Sequence, residues 1–195
     1  HASQPELCAD PVLAAAGIIT SLQQIVSRRL PAQQAVVISV TSMNAPSADT
    51  IIPDEAVLGG SFRIADDLLR ERIGELITSI CADIARGYGV TAEVEMRPRY
   101  GSTINHPVEA ETFRAVLAEE LGPDWRATDV LLPIMASEDF SYYLKEIPGA
   151  FALVGAGDGS GHSVGLHSAR YDFNDALIPL ITRVFARLAG VPKVV

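Results

Sequence analysis

The apolar positions change period along the chain, and each change marks an element. Ala15, Ile18, Ile19, Leu22, Ile25 and Val26 recur at helical spacing. Asp10 and Pro11 predict the start of that helix. A carboxylate can cap the first turn, and proline fits the first helical position because its missing N–H has no partner there. Leu30-Pro31 predicts the end. Val36, Ile38 and Val40 then alternate with their neighbours, predicting a strand over about 35–43. A polar turn over 44–53 leads to a second strand over about 56–64. Asp66 and Asp67 predict the next helix start, where negative charge faces the positive end of the helix dipole. Leu69, Ile73, Leu76, Ile77, Ile80 and Ile84 form its apolar stripe, and Gly87 suits its C-terminal glycine. A third strand is predicted with Ala92, Val94 and Met96 on one face and Glu93, Glu95 and Arg97 on the other.

Helix, strand, strand, helix, strand is the order of a ferredoxin-like βαββαβ unit that lacks its first strand. Such a unit leaves a sheet position unpaired, so the chain is expected to start inside a domain. The pattern changes after Gly101. A helix is predicted over 108–121, stopping at Gly122, followed by a short apolar stretch over 130–135. Ser137-Glu138-Asp139 predicts another helix running to about Lys145, with Ser137 as its cap. A buried strand over 150–154, a glycine-rich loop over 155–165 and an amphipathic helix over 174–188 complete the chain. Short apolar strands alternating with helices suggest part of an α/β layer structure. The expected class is thus mixed α+β and α/β, with one domain over 1–101 and a second portion over 102–195.

Composition narrows the function. With 195 residues the chain can form one ordinary domain or two small ones. Its 48% hydrophobic and 20% charged residues exclude wholesale disorder. A net charge of −9 repels phosphate, so neither nucleic acid nor an anionic membrane surface is an expected partner. No apolar run is long enough to span a bilayer, and no signal-peptide pattern is visible behind His1. The chain does not open with Met, which leaves open an upstream start or a removed one. Cys8 and Cys81 form no CxxC pair and suit a reducing cytosol, so a cytoplasmic location is expected.

The four histidines are His1, His106, His162 and His167, each more often structural than catalytic when taken alone. No HExxH or GxSxG motif is present. The run Gly155-Ala156-Gly157-Asp158-Gly159 leads into more loop instead of a helix, so it reads as a connection and not a nucleotide site.

Several short motifs, in one order, carry more. They are His1-Ala2-Ser3-Gln4-Pro5 with Asp10-Pro11; Ile51-Ile52-Pro53-Asp54-Glu55 followed by Gly60-Ser61-Phe62-Arg63; and Asn105 shortly after Tyr100. Then come Ala136-Ser137-Glu138-Asp139-Phe140-Ser141-Tyr142-Tyr143, Pro148-Gly149-Ala150-Phe151 and Leu166-His167-Ser168-Ala169-Arg170-Tyr171-Asp172-Phe173-Asn174-Asp175. Together they resemble the two-metal amidohydrolase family of aminoacylases, hippurate hydrolases and indole-acetyl-amino-acid hydrolases, over essentially the whole chain. The resemblance implies a lid, or dimerisation, domain over 1–101 and the C-terminal portion of a metallohydrolase catalytic domain over 102–195. It implies hydrolysis of the amide bond of N-acyl or N-aroyl amino acids by a metal-activated water in a full-length parent.

By the same resemblance His167 matches a metal ligand. The parent would hold two divalent ions (manganese, zinc, cobalt or nickel), and this chain at most one, weakly. His1 matches a lid histidine that reaches across a homodimer and stabilises the oxyanion. Arg63 and Asn105 match positions near the substrate, where arginine's fork suits a carboxylate. Ser137 and Glu138 are expected to contact substrate. Glu138 and Asp139 read as helix-start charges that also shape the pocket wall, and as adjacent residues they point apart and make a poor acid/base pair. Three positions depart from the family: Thr50 stands for asparagine, Ala136 for glycine and Ala169 for proline. Thr50 removes an amide that could meet substrate. One histidine cannot hold two metals, so the isolated chain is expected to be inactive. Alternatives are a non-catalytic dimerisation or binding module, and hydrolysis of a dipeptide or a carbamoyl amino acid.

Overall fold

A computed structural model describes residues 1–159 and 161–192. The chain divides into two compact units, one of 1–102 with 132–138, the other of 103–131 with 139–195.

In the first unit, helix α1 spans Pro11–Leu22. Asp10 caps it as expected, its carboxylate accepting from the amides of Val12 at 2.8 Å and Leu13 at 3.1 Å. A wider π-type turn over Ile25–Arg29 follows, and the backbone turns extended at Leu30. Strands β1 (Val36–Asn44) and β2 (Val57–Ile64) pair antiparallel, with an irregularity between Val40 and Ser42. Helix α2 spans Leu69–Gly87.

The apolar stripes of α1 and α2 meet. Ile18, Leu22 and Ile25 pack with Leu76, Ile80 and Cys81, and Ile38, Val40 and Leu58 of the hairpin close over them. Burial of this kind is the main source of stability in a small unit. Gly17 permits the close approach: a Cβ there would lie 2.9 Å from the ring of Tyr88 and 3.2 Å from Ile84. Burial raises the Cys81 thiol above its ordinary range, so it serves as a packing group while Cys8 is exposed.

Two expectations for this unit are corrected. The third strand is not formed among the described residues, and the sheet has two strands. Ala92 and Val94 still pack against the core and Glu93 and Glu95 still face out, so the alternation in the sequence reported burial and not pairing. A strand also needs a hydrogen-bonded neighbour. Glu95 instead grips Arg97 through two hydrogen bonds of 2.8 and 2.7 Å, and that guanidinium holds its carboxyl below the usual range. The ferredoxin-like description therefore reaches only the helix–strand–strand–helix order. Second, Gly87 is the last helical residue; the left-handed glycine is Gly89, with φ of 75°. The acidic start of α2 is as expected: the Asp66 carboxylate accepts from the Leu68 amide at 2.9 Å, while Asp67 accepts from the amide of Ser102 at 3.2 Å and pairs with Arg70 at 3.2 Å.

The second unit contains α3 (Pro107–Leu121), α4 (Phe140–Glu146) and α5 (Leu177–Leu188). Gly122 ends α3 as expected, at φ of 80°. Helices α3 and α5 are joined by Arg187, which lies 3.0 Å from Glu119 and 3.5 Å from Glu120. Ser137 is not the cap of α4: Asp139 holds the cap position, without a side-chain bond. The strand expected over 150–154 is absent among the described residues, and Leu153 and Val154 are exposed. Val130, Leu131, Leu132 and Ile134 are exposed as well. Of the expected glycine-rich loop, residue 160 lies outside the described residues, as do 193–195 of the second portion. No helix among the described residues is long and apolar enough to cross a membrane.

Candidate functional site

In the first unit, the backbone amide of Ala2 donates to the carbonyl of Thr50 at 2.8 Å, which ties the start of the chain to the turn before β2. His1 is exposed, and its Nδ1 lies 2.7 Å from the Ser3 hydroxyl and 3.2 Å from the Ser3 amide. An amide can only donate, so Nδ1 accepts and the remaining ring nitrogen carries the proton in the neutral imidazole. His1 thus offers an outward-facing N–H donor.

Arg63 sits on β2 opposite Val37. Both are exposed, on the opposite strand face from the Ile38–Phe62 pair. Its guanidinium forms no hydrogen bond among the described residues, which leaves a cationic fork open to solvent. Ser137 is exposed and Glu138 half-buried.

In the second unit, Asn105 is committed to the backbone. Its Oδ1 accepts from the Phe151 amide at 2.8 Å and its Nδ2 donates to the Phe151 carbonyl at 2.9 Å. The side chain imitates a strand neighbour for one residue. His106 extends the stitch: its amide donates to the Gly149 carbonyl at 3.0 Å, and its Nδ1 accepts from the Gly149 amide at 3.2 Å. Two-point bridging by an asparagine explains why residues 149–151 are held in place without a strand ladder.

His167 is exposed and stands at φ of 68°, alone among the described non-glycine residues in having a positive φ. The left-handed region costs a residue with a Cβ on the order of 1 kcal/mol and persists where surrounding structure holds it. The turn around it is knit by the Tyr171 amide donating to the Ser168 carbonyl at 3.1 Å and by the Ser168 hydroxyl, 3.2 Å from the Arg170 amide. Nothing in the sequence signalled this strain.

Sequence reasoning also passed over Asn174 and gave His162 no part. Asn174 is buried; its Nδ2 donates to the Ala156 carbonyl at 3.1 Å and its Oδ1 accepts from the Ala176 amide at 3.1 Å. His162 lies between Asp158 at 3.7 Å and Asp172 at 3.8 Å, with Nδ1 3.3 Å from the Asp172 carbonyl. An asparagine just before a helix is a sequence signal for a cap, but its second bond spans 18 residues and is invisible locally.

Among the described residues no three His, Cys, Asp or Glu side chains gather closely enough to hold a metal ion. His167 supplies one imidazole, so the residues described do not by themselves fit a pair of metal ions.

The profile described as peptidase family M20/M25/M40 matches residues 8–190. IAA-amino acid hydrolase ILR1-like 2 of Arabidopsis thaliana is 33% identical over 191 residues, covering 97% of this chain and 43% of its own length. Hippurate hydrolase of Campylobacter jejuni is 33% identical over 189 residues, covering 97% of this chain and 48% of its own. A crystal structure of a dinuclear metal binding peptidase of the M20 family from Bacillus subtilis superposes with a TM-score of 0.67 at 26% identity, over 93% of this chain and 46% of that one. The chain therefore spans just under half the length of these relatives.

Proposed function

From the fact that this chain belongs to peptidase family M20/M25/M40, we propose that the protein containing it hydrolyses the amide bond of a small N-acyl or N-aroyl amino acid. The observation that carries this reading is the match over 97% of the chain to relatives named for hippurate and for IAA-amino acids. Both names denote an acyl group joined to an amino acid. In the reaction, water adds to the acyl carbonyl carbon, the C–N bond breaks, and the amine leaves with a proton as the carboxylate forms.

The site residues take distinct parts in this reading. His167 is a metal ligand, and its exposed, left-handed placement supports a side chain held for a purpose. The metal pair would be completed by donors beyond the described residues. His1 donates a hydrogen bond to the developing oxyanion, supported by its outward N–H. Arg63 binds the substrate carboxylate through its open fork. Asn105 places the 149–151 segment at the substrate, and Ser137 and Glu138 line the pocket. The chain pairs as a homodimer through its first unit; the unpaired outer edges of the two-stranded sheet support this. Its two free thiols support a cytoplasmic setting.

The test is turnover of hippurate and N-acetyl amino acids, with added manganese or zinc, by the longer protein and by the 195-residue chain. We expect turnover by the longer protein and none by the chain alone. His167→Ala should lower kcat/KM at least about 100-fold, no less than the loss of an outer-shell partner. His1→Ala should lower kcat about 100-fold or more, the scale of a lost oxyanion donor. A longer protein that cleaves dipeptides or carbamoyl amino acids but no N-acyl amino acid overturns the substrate reading. Full activity in His167→Ala overturns the assignment of that ligand.

A further inference from the structure

His167 lies midway along a loop whose two ends are tied together by side chains. Asn174 closes the neck, its Nδ2 donating to the Ala156 carbonyl at 3.1 Å. Inside that closure His162 braces the two limbs, with Nδ1 3.3 Å from the carbonyl of Asp172. A carbonyl only accepts, so Nδ1 carries the proton in this contact. The carboxylates of Asp158 and Asp172 flank the same ring at 3.7 and 3.8 Å. The ties thus join 156 to 174 and 162 to 172, and His167 stands five residues from each inner anchor. The neck amide is buried, where an unmade hydrogen bond costs most.

We infer that Asn174 and His162 are positioning residues that hold the loop closed and so fix where the His167 imidazole is presented. The strained backbone at His167 fits this arrangement, because an isolated turn would relax out of the left-handed region and a loop pinned at both ends cannot. The inference rests on the reading of His167 as a working residue of the site. Asn174 does two separable jobs. Its Oδ1 takes the amide of Ala176 just before α5, and its Nδ2 closes the neck. Aspartate at this position keeps the first and removes the second, leaving an oxygen facing the Ala156 carbonyl.

The experiment compares Asn174→Asp, His162→Ala and His162→Gln with the parent sequence. Amide hydrogen exchange is read on the full 195-residue chain, and kcat/KM on the longer protein. Asn174→Asp should speed exchange at Tyr171, whose amide is bonded to Ser168, at least about 10-fold while α5 exchange is unchanged. The same variant should lower kcat/KM about 10- to 100-fold, the usual cost of losing a residue that orients a ligand. His162→Ala should act in the same direction. His162→Gln should recover most of the loss, since its amide can still donate to Asp172. Unchanged exchange at Tyr171 in Asn174→Asp overturns the closure. Faster exchange with full activity, in a protein that His167→Ala inactivates, overturns the positioning role. If His167→Ala is itself silent, the reading of the ligand has failed, and the exchange arm still decides the neck.

Discussion

The two units hold themselves together by different means. The first buries a continuous apolar cluster in which Ile25 is fully shielded, and two helix stripes interlock over a hairpin. The second buries few large side chains, chiefly Leu144 and Val184, and leaves Phe185 and Val108 61% and 73% exposed. It relies on directed polar bridges, namely Asn105 to Phe151, His106 to Gly149, Asn174 to Ala156 and Arg187 to Glu119. Apolar burial is non-directional and tolerates small shifts. Hydrogen-bonded stitches are directional and fix where a backbone segment lies, but contribute little stability each. The unit that carries His167 is thus built for placement, and the unit that carries His1 and Arg63 is built for stability.

This contrast can be broken by substitution. Ile25→Ala should have the largest effect, about 2–5 kcal/mol of lost stability from transfer and cavity terms, since Ile25 is fully buried in the cluster. Urea unfolding of the chain measures it, and a loss below about 1 kcal/mol would mean that the apolar cluster is not what holds the first unit. Asn105→Ala should cost less, about 1–2 kcal/mol, because two hydrogen bonds are lost at an exposed site. Its sharper signature is local: faster amide exchange at Phe151, with the first unit unchanged. Arg72→Ala should cost no more than about 0.5 kcal/mol, since its 3.2 Å pair with Glu75 is solvent-exposed on both sides. A larger loss there would show that charge also contributes to the first unit.

Much of the fold was legible. Asp10 and Pro11 marked α1, the alternation through Val36, Ile38 and Val40 marked β1, and Gly122 marked the end of α3, because caps, pleats and breakers act over a few residues. The misses share a cause. Residues 92–96 and 150–154 carry strand-like patterns, yet a strand needs a partner that local pattern cannot supply. Ser137 looks like a cap, but Asp139 stands at that position.

The ordered motifs alone determined the family resemblance and the candidate residues, and caps, breakers and apolar spacing set most helix boundaries, since residue type and spacing are properties of the chain. Only the tertiary structure decided that Asn105 and Asn174 spend their amides on distant backbone, that His162 braces a loop, and that His167 stands in the left-handed region. The reason is physical: a side-chain amide or imidazole can serve many partners, and which one it meets depends on how segments 10 to 46 residues apart come together in space.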